Sequence, residues 1–156
     1  AYLLAKYGQE TFDIVSIQLY ESYTHLLYNT TVAPLETRQS ASDYLISYIP
    51  DAIHGWEVDF ASYPSAKLPS QRVSVSKTAL CIGLANGWIT QGKNALVMPD
   101  EAQVAYETLK AHGLEPRGFV FWEIEAEGEV PPGQQAPLYM AKGLNAFLHT
   151  RREHRS

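Results

Sequence analysis

Apolar positions along the chain follow two periods. Phe12 to Tyr20 reads Phe-Asp-Ile-Val-Ser-Ile-Gln-Leu-Tyr and alternates. Side chains of a strand point to opposite faces in turn. One face therefore carries Val15, Ile17 and Leu19, all apolar; the other carries Ile14, Ser16, Gln18 and Tyr20. Near-continuous apolar runs at Val75 to Leu84 and Gly118 to Ile124 predict two further strands, buried on both faces as in a parallel sheet. In the last of them Val120, Trp122 and Ile124 share a face, with Glu123 opposite. Between the strands the period lengthens to that of a helix. Ser40 or Ser42 is placed to cap a helix running to about Ile53, with Tyr44, Leu45, Tyr48 and Ile49 at helical spacing and Gly55 as its stop. Asp100 with Gln103 three positions on has a capping-box pattern, followed by a Val104, Ala105, Thr108, Leu109 stripe and Gly113. Pro137 to Thr150 predicts a last helix with Leu138, Ala141, Leu144, Asn145 and Leu148 on one side.

The connections complete the order. Ala1 to Gly8 reads as the end of a helix stopped at Gly8. Glu21 to Arg38 reads as a long polar and aromatic loop, Gly55 to Gln71 as irregular chain, and Ala85 to Val97 and Glu125 to Pro137 as Gly- or Pro-rich loops. Strand, loop and helix recur three times, which predicts right-handed parallel units in an α/β fold, with no linker dividing the 156 residues. The polar row Ser16, Gln18, Tyr20 needs partners if it is buried. The interior of a (β/α)₈ barrel, opening at the strands' C-terminal ends, offers such an environment.

Composition narrows the classes. Hydrophobic residues make up 46% and charged residues 19%, as in a globular protein. A net charge of -5 argues against nucleic acid as the main partner. The basic run Arg151-Arg152-Glu-His-Arg155 is too short to change that and reads as a solvated end. No apolar run is long enough to span a membrane. The single cysteine, Cys81, excludes an internal disulfide and sits in an apolar strand as a small hydrophobe. The five histidines form no metal-ligand spacing, and neither a nucleophile motif nor a phosphate loop occurs; no metal and no cofactor are expected. Asn29-Thr30-Thr31 is a glycosylation sequon, compatible with the secretory pathway or an extracellular location.

Gln18-Leu-Tyr20 at a strand end, then a strand ending Ile82-Gly-Leu-Ala85, then Phe119-Val-Phe-Trp122-Glu-Ile124, resembles strands six to eight of glycoside hydrolase family 18. That family comprises chitinases, endo-β-N-acetylglucosaminidases and non-catalytic lectins of the same fold. The likeness runs from Phe12 to Leu148; Ala85 stands where the family often has proline. It implies that residues 1–156 form one segment, the C-terminal portion of a (β/α)₈ TIM barrel. A complete barrel needs about 250 residues. The reading is therefore a piece of a longer protein, with the N-terminal barrel half or a second chain as the missing partner. The family's Asp-x-x-Asp-x-Asp-x-Glu motif, whose glutamate is the general acid, is not in these residues; Glu57-Val-Asp59 and Glu123-Ile-Glu125-Ala-Glu127 lack its spacing.

The resemblance implies a chitinase-like hydrolase of β-1,4-linked N-acetylglucosamine glycans, with the acid supplied from outside the segment. Hydrolysis there is substrate-assisted: the sugar's acetamido group attacks the anomeric carbon, giving retention. Tyr20 is implied to donate to the acetamido carbonyl, Gln18 to orient the same group, and Trp122 to form an apolar floor under the sugar ring, with Tyr23 and Trp88 as further sugar contacts. A carbohydrate-binding lectin or scaffold without turnover is the alternative. A third possibility is an unrelated α/β domain. Glu123, opposite in parity, is expected to pair with a basic residue, and Trp56 is as good a packing anchor as a sugar contact.

Overall fold

The computed structural model describes residues 1–149. Thr150 and the basic run behind it lie outside the described residues. The chain begins with helix α1 (Tyr2–Tyr7), stopped at Gly8, and enters strand β1 (Val15–Gln18). A short helix α2 (His25–Leu27) precedes the long helix α3 (Ala41–His54). Strands β2 (Trp56–Val58) and β3 (Gln71–Val73) form an antiparallel pair. Strand β4 (Leu80–Ala85), helix α4 (Pro99–Ala111), strand β5 (Gly118–Trp122) and helix α5 (Met140–Leu148) follow.

The fold is α/β. A three-stranded sheet has the order β1-β4-β5, parallel throughout. Its register aligns Ile17 with Ile82 and Phe119, and Gln18 with Gly83 and Val120. Leu80, Ile82 and Leu84 join Tyr44, Leu45 and Ile49 of α3, Ala102, Ala105 and Leu109 of α4, and Leu144 and Phe147 of α5 in one core. Val15, Ile17, Phe119 and Phe121 pack on it from the flanking strands. All three long helices thus cover the same face. The opposite face carries Ser16, Gln18, Cys81, Gly83, Ala85, Val120 and Trp122. Among the described residues, β1 and β5 are the sheet's edges.

Several expectations need correction. The first strand is shorter than Phe12 to Tyr20, because a 3₁₀ turn at Gln9–Thr11 precedes it. The Glu21–Arg38 connection is not all loop: Thr24 Oγ1 accepts from Leu27 N and caps α2, and a wide helical turn continues through Tyr28–Val32. Asn29 therefore sits in that turn, where Thr30 and Thr31 donate back to Leu26 and Leu27 carbonyls. The Gly55–Gln71 stretch holds strand β2 and leads into β3, the two joined across by the Arg72–Glu57 ion pair at 3.6 Å. Helix α4 starts two residues earlier than a cap at Asp100 implied: Met98 is the cap, Pro99 takes the first helical position, and Glu101 reaches back to Met98 N at 2.9 Å. Val104 is exposed, since Ala102, Ala105 and Leu109 define the buried stripe. Helix α5 is shorter than Pro137 to Thr150 and buries Met140, Leu144 and Phe147, leaving Ala141 and Asn145 outside. Phe147 takes the inward position because its ring meets Phe119 edge-on at 5.9 Å. No helix is long and apolar enough to cross a membrane among the described residues.

Candidate functional site at the strand ends

The open face of the sheet owes its shape to β4. Its outward residues are Cys81, Gly83 and Ala85, all small, while the flanking strands present Ser16 and Gln18 on one side and Val120 and Trp122 on the other. The result is a shallow trough with a floor of small side chains. Gly83 is needed for it: a Cβ there would lie 3.2 Å from Gln18 Cα and 3.2 Å from Ile17 O. Of the polar row only Tyr20 is buried. Ser16 and Gln18 are exposed, and neither side chain has a hydrogen-bond partner among the described residues. Exposed side chains carry no burial penalty, so neither needs a protein partner here.

Tyr20 lies past the end of β1 and is 7% exposed. It packs with Ala85 and Ile89 apart from the main core, and its ring meets Trp88 edge-on at 6.0 Å. Burial first, then the charge of Glu21 and the neighbouring Tyr23, raises its pKa. The phenol stays protonated at neutral pH and is a hydrogen-bond donor. Trp88, half-buried, donates its indole N–H to the carbonyl of Trp122. Tyr20, Trp88 and Trp122 are thus linked in series across the ends of three neighbouring strands. Trp122 is 58% exposed beside Val120, a flat apolar surface open to solvent. The peptide bond from Trp122 to Glu123 is cis. Tyr23 is 80% exposed in the loop after β1 and acts on this group through its charge interaction with Tyr20.

Two residues that sequence reasoning passed over hold the site together. Asn86, the residue after β4, is fully buried. Its Oδ1 accepts from Glu123 N at 3.1 Å, and its Nδ2 donates to Glu123 O at 2.6 Å and to Glu127 Oε1 at 3.2 Å. Glu127 in turn accepts from Met140 N at 3.0 Å and from Ala141 N at 3.2 Å, where its charge suits the start of α5. Gly87 permits the close approach: a Cβ there would lie 2.9 Å from Ala126 O. The signal was legible in principle, since a carboxamide directly behind a fully apolar strand must find partners if buried. Glu123 makes no ion pair among the described residues, contrary to expectation; its backbone, held by Asn86, is what matters.

Cys81 is buried in the trough floor, and burial raises its thiol pKa despite the opposing charge of Arg117. A thiol kept protonated is a poor nucleophile. No group of histidine, cysteine and acidic residues fit to hold a metal occurs among the described residues. The arrangement offers an aromatic platform, a protonated phenol and a free carboxamide along one trough, which suits a polyhydroxylated or amide-bearing ring lying across the strand ends. No protein-family model matches the sequence, and no curated protein matches it.

Proposed function

We propose that this chain forms the last three strands of a (β/α)₈ barrel like that of glycoside hydrolase family 18, and that its strand ends bind β-1,4-linked N-acetylglucosamine glycans. One observation carries the reading: the register puts Gln18, Ala85 and Trp122 on one face of the sheet, Gln18 and Trp122 exposed and Ala85 covered by Tyr20. Three features support the barrel. The strands are parallel and in sequential order, the helices all cover one face, and among the described residues no further strand pairs with either edge, as a barrel wall seen alone has to be.

In this reading Trp122 lies under the sugar ring, and Tyr20 and Gln18 hold the acetamido group at C2. A phenol donating to the acetamido carbonyl aligns that oxygen for attack on the anomeric carbon and stabilises the charge that develops. The general acid comes from outside this segment. Glu127, whose carboxylate accepts from Asn86 and from the start of α5, is not free to serve. Where the whole protein lacks such an acid, the same trough makes a lectin or scaffold, and the absence of Asp-x-x-Asp-x-Asp-x-Glu from these residues favours keeping that second reading. An extracellular or secretory location follows from the substrate and the sequon at Asn29.

The test is turnover of chito-oligosaccharide by the protein isolated from its source, with its intact mass and N-terminal sequence. Cleavage with retention, reduced about a hundredfold or more by Tyr20→Phe at unchanged stability, supports the hydrolase. Binding without cleavage identifies the lectin. Neither binding nor cleavage refutes both.

A further inference from the structure

Trp122 closes the β5 ladder opposite Ala85, and three consecutive backbone groups there are held by side chains from the loop after β4. The Trp122 carbonyl accepts from Trp88, and the Glu123 N–H and carbonyl are both taken by Asn86. A carboxamide accepts from an N–H with its oxygen and has two N–H donors left, one for the carbonyl and one for a second acceptor; a hydroxyl has only one. Aspartate lacks the donor and alanine lacks both. Asn86 also donates to Glu127, whose carboxylate fixes the first N–H groups of α5. One fully buried side chain therefore couples the end of β4, the turn after β5 and the start of α5.

We propose that Asn86 is the positioning residue of the site: it touches no ligand, but sets the angle at which Trp122 offers its ring. This rests on the reading of Trp122 as a sugar platform. An exposed aromatic in a shallow trough can stack on a ring only if its backbone is fixed, because a displacement of an ångström at a supporting residue is enough to lose alignment. β5 pairs with β4 as far as Trp122, and a 3₁₀ turn begins at Ile124, so Asn86 fixes the one residue, Glu123, that joins the ladder to that turn.

The test uses Asn86→Ala and Asn86→Asp in the full chain, with two readouts. The first is the near-ultraviolet circular dichroism of the tryptophans, which needs no ligand. The second is titration with chitotetraose. Asn86→Ala, with its far-ultraviolet spectrum intact, loses the near-ultraviolet band that Trp122→Phe also loses, and binds about tenfold or more weakly. Asn86→Asp does the same at neutral pH, where the new carboxylate faces Glu127 across the clamp with Glu123 and Glu129 close by. It regains the band as the pH falls through about 4 to 6, when a protonated Asp can donate again; Asn86→Ala does not. A loss of packing alone would not be reversed by acid. Wild-type spectrum and affinity in a folded Asn86→Ala protein, or identical pH behaviour of the two variants, overturns the proposal. If Asn86→Ala fails to fold, Asn86→Asp decides: acid recovery supports the clamp, and none overturns it. If the wild type binds no chitotetraose, the sugar reading fails while the spectral arm still decides the clamp.

Discussion

One face of the three-stranded sheet presses Ile17, Ile82, Leu84 and Phe119 against three helices; the other leaves Ser16, Gln18, Val120 and Trp122 in contact with water. Both faces belong to the same strands and differ by one residue of register. The covered face is uniformly large and aliphatic or aromatic. The open face is small in the middle, polar on one side and aromatic on the other. A surface that only needed to be soluble would carry charges, and this one carries none on β1, β4 or β5. The covered face explains why the domain folds; the open face is the part that stability does not explain.

The largest effect that would break this contrast comes from the covered face. Ile82→Ala removes a fully buried side chain between Ile17 and Phe119 and should cost about 2–5 kcal/mol, read by urea unfolding. Gly83→Val comes next. Its Cβ meets the backbone of β1, so a loss of about 1–3 kcal/mol is expected, together with a blocked trough. An unchanged stability would mean that β1 and β4 part easily. Trp122→Ala should move stability by less than about 0.5 kcal/mol, because the exposed indole is lost but the carbonyl that Trp88 grips remains. A large loss there would turn the platform into core.

The smallest effect lies away from both faces, in the chain between β2 and β3. Hydrogen bonds from the hydroxyls of Ser62 and Ser70, then from Ser62 N, hold Asp59 at about 2, below its ordinary 3.8. The folded pKa is the lower one, so the contribution is complete above about pH 4 and is lost as the pH falls through about 2. Asp59→Asn should remove this part of the acid sensitivity of the hairpin, measured by amide exchange around Ser62 and Ser70, and leave the trough unaffected.

How far the sequence exposes this contrast depends on length of pattern. The alternation over Val15 to Leu19 and the apolar run at Leu80 to Ala85 are long enough to mark the sheet and its two faces. Strands β2 and β3 are only three residues each and stand apart across a Pro-containing loop, so no period develops. Helix α2 is hidden for the same reason, its identity fixed by Thr24 and by burial of Leu26 and Leu27 rather than by repetition. Parity places Gln18 and Tyr20 on one face and Trp122 with Val120 on another strand's face; their roles toward a sugar came from the family resemblance. For Asn86 the sequence shows only that a buried carboxamide behind an apolar strand needs partners; which partners it and Glu127 find depends on which loops meet.

The contrast between the faces is tested most directly by titrating the chain with chitotetraose while tryptophan fluorescence and backbone amide shifts are followed, for wild type and Trp122→Ala. Saturable changes confined to the strand ends around Gln18, Ala85 and Trp122, absent in Trp122→Ala although that variant is as stable as wild type, are the predicted result. Binding that survives Trp122→Ala, or shifts that map to the helix-covered side, would contradict it.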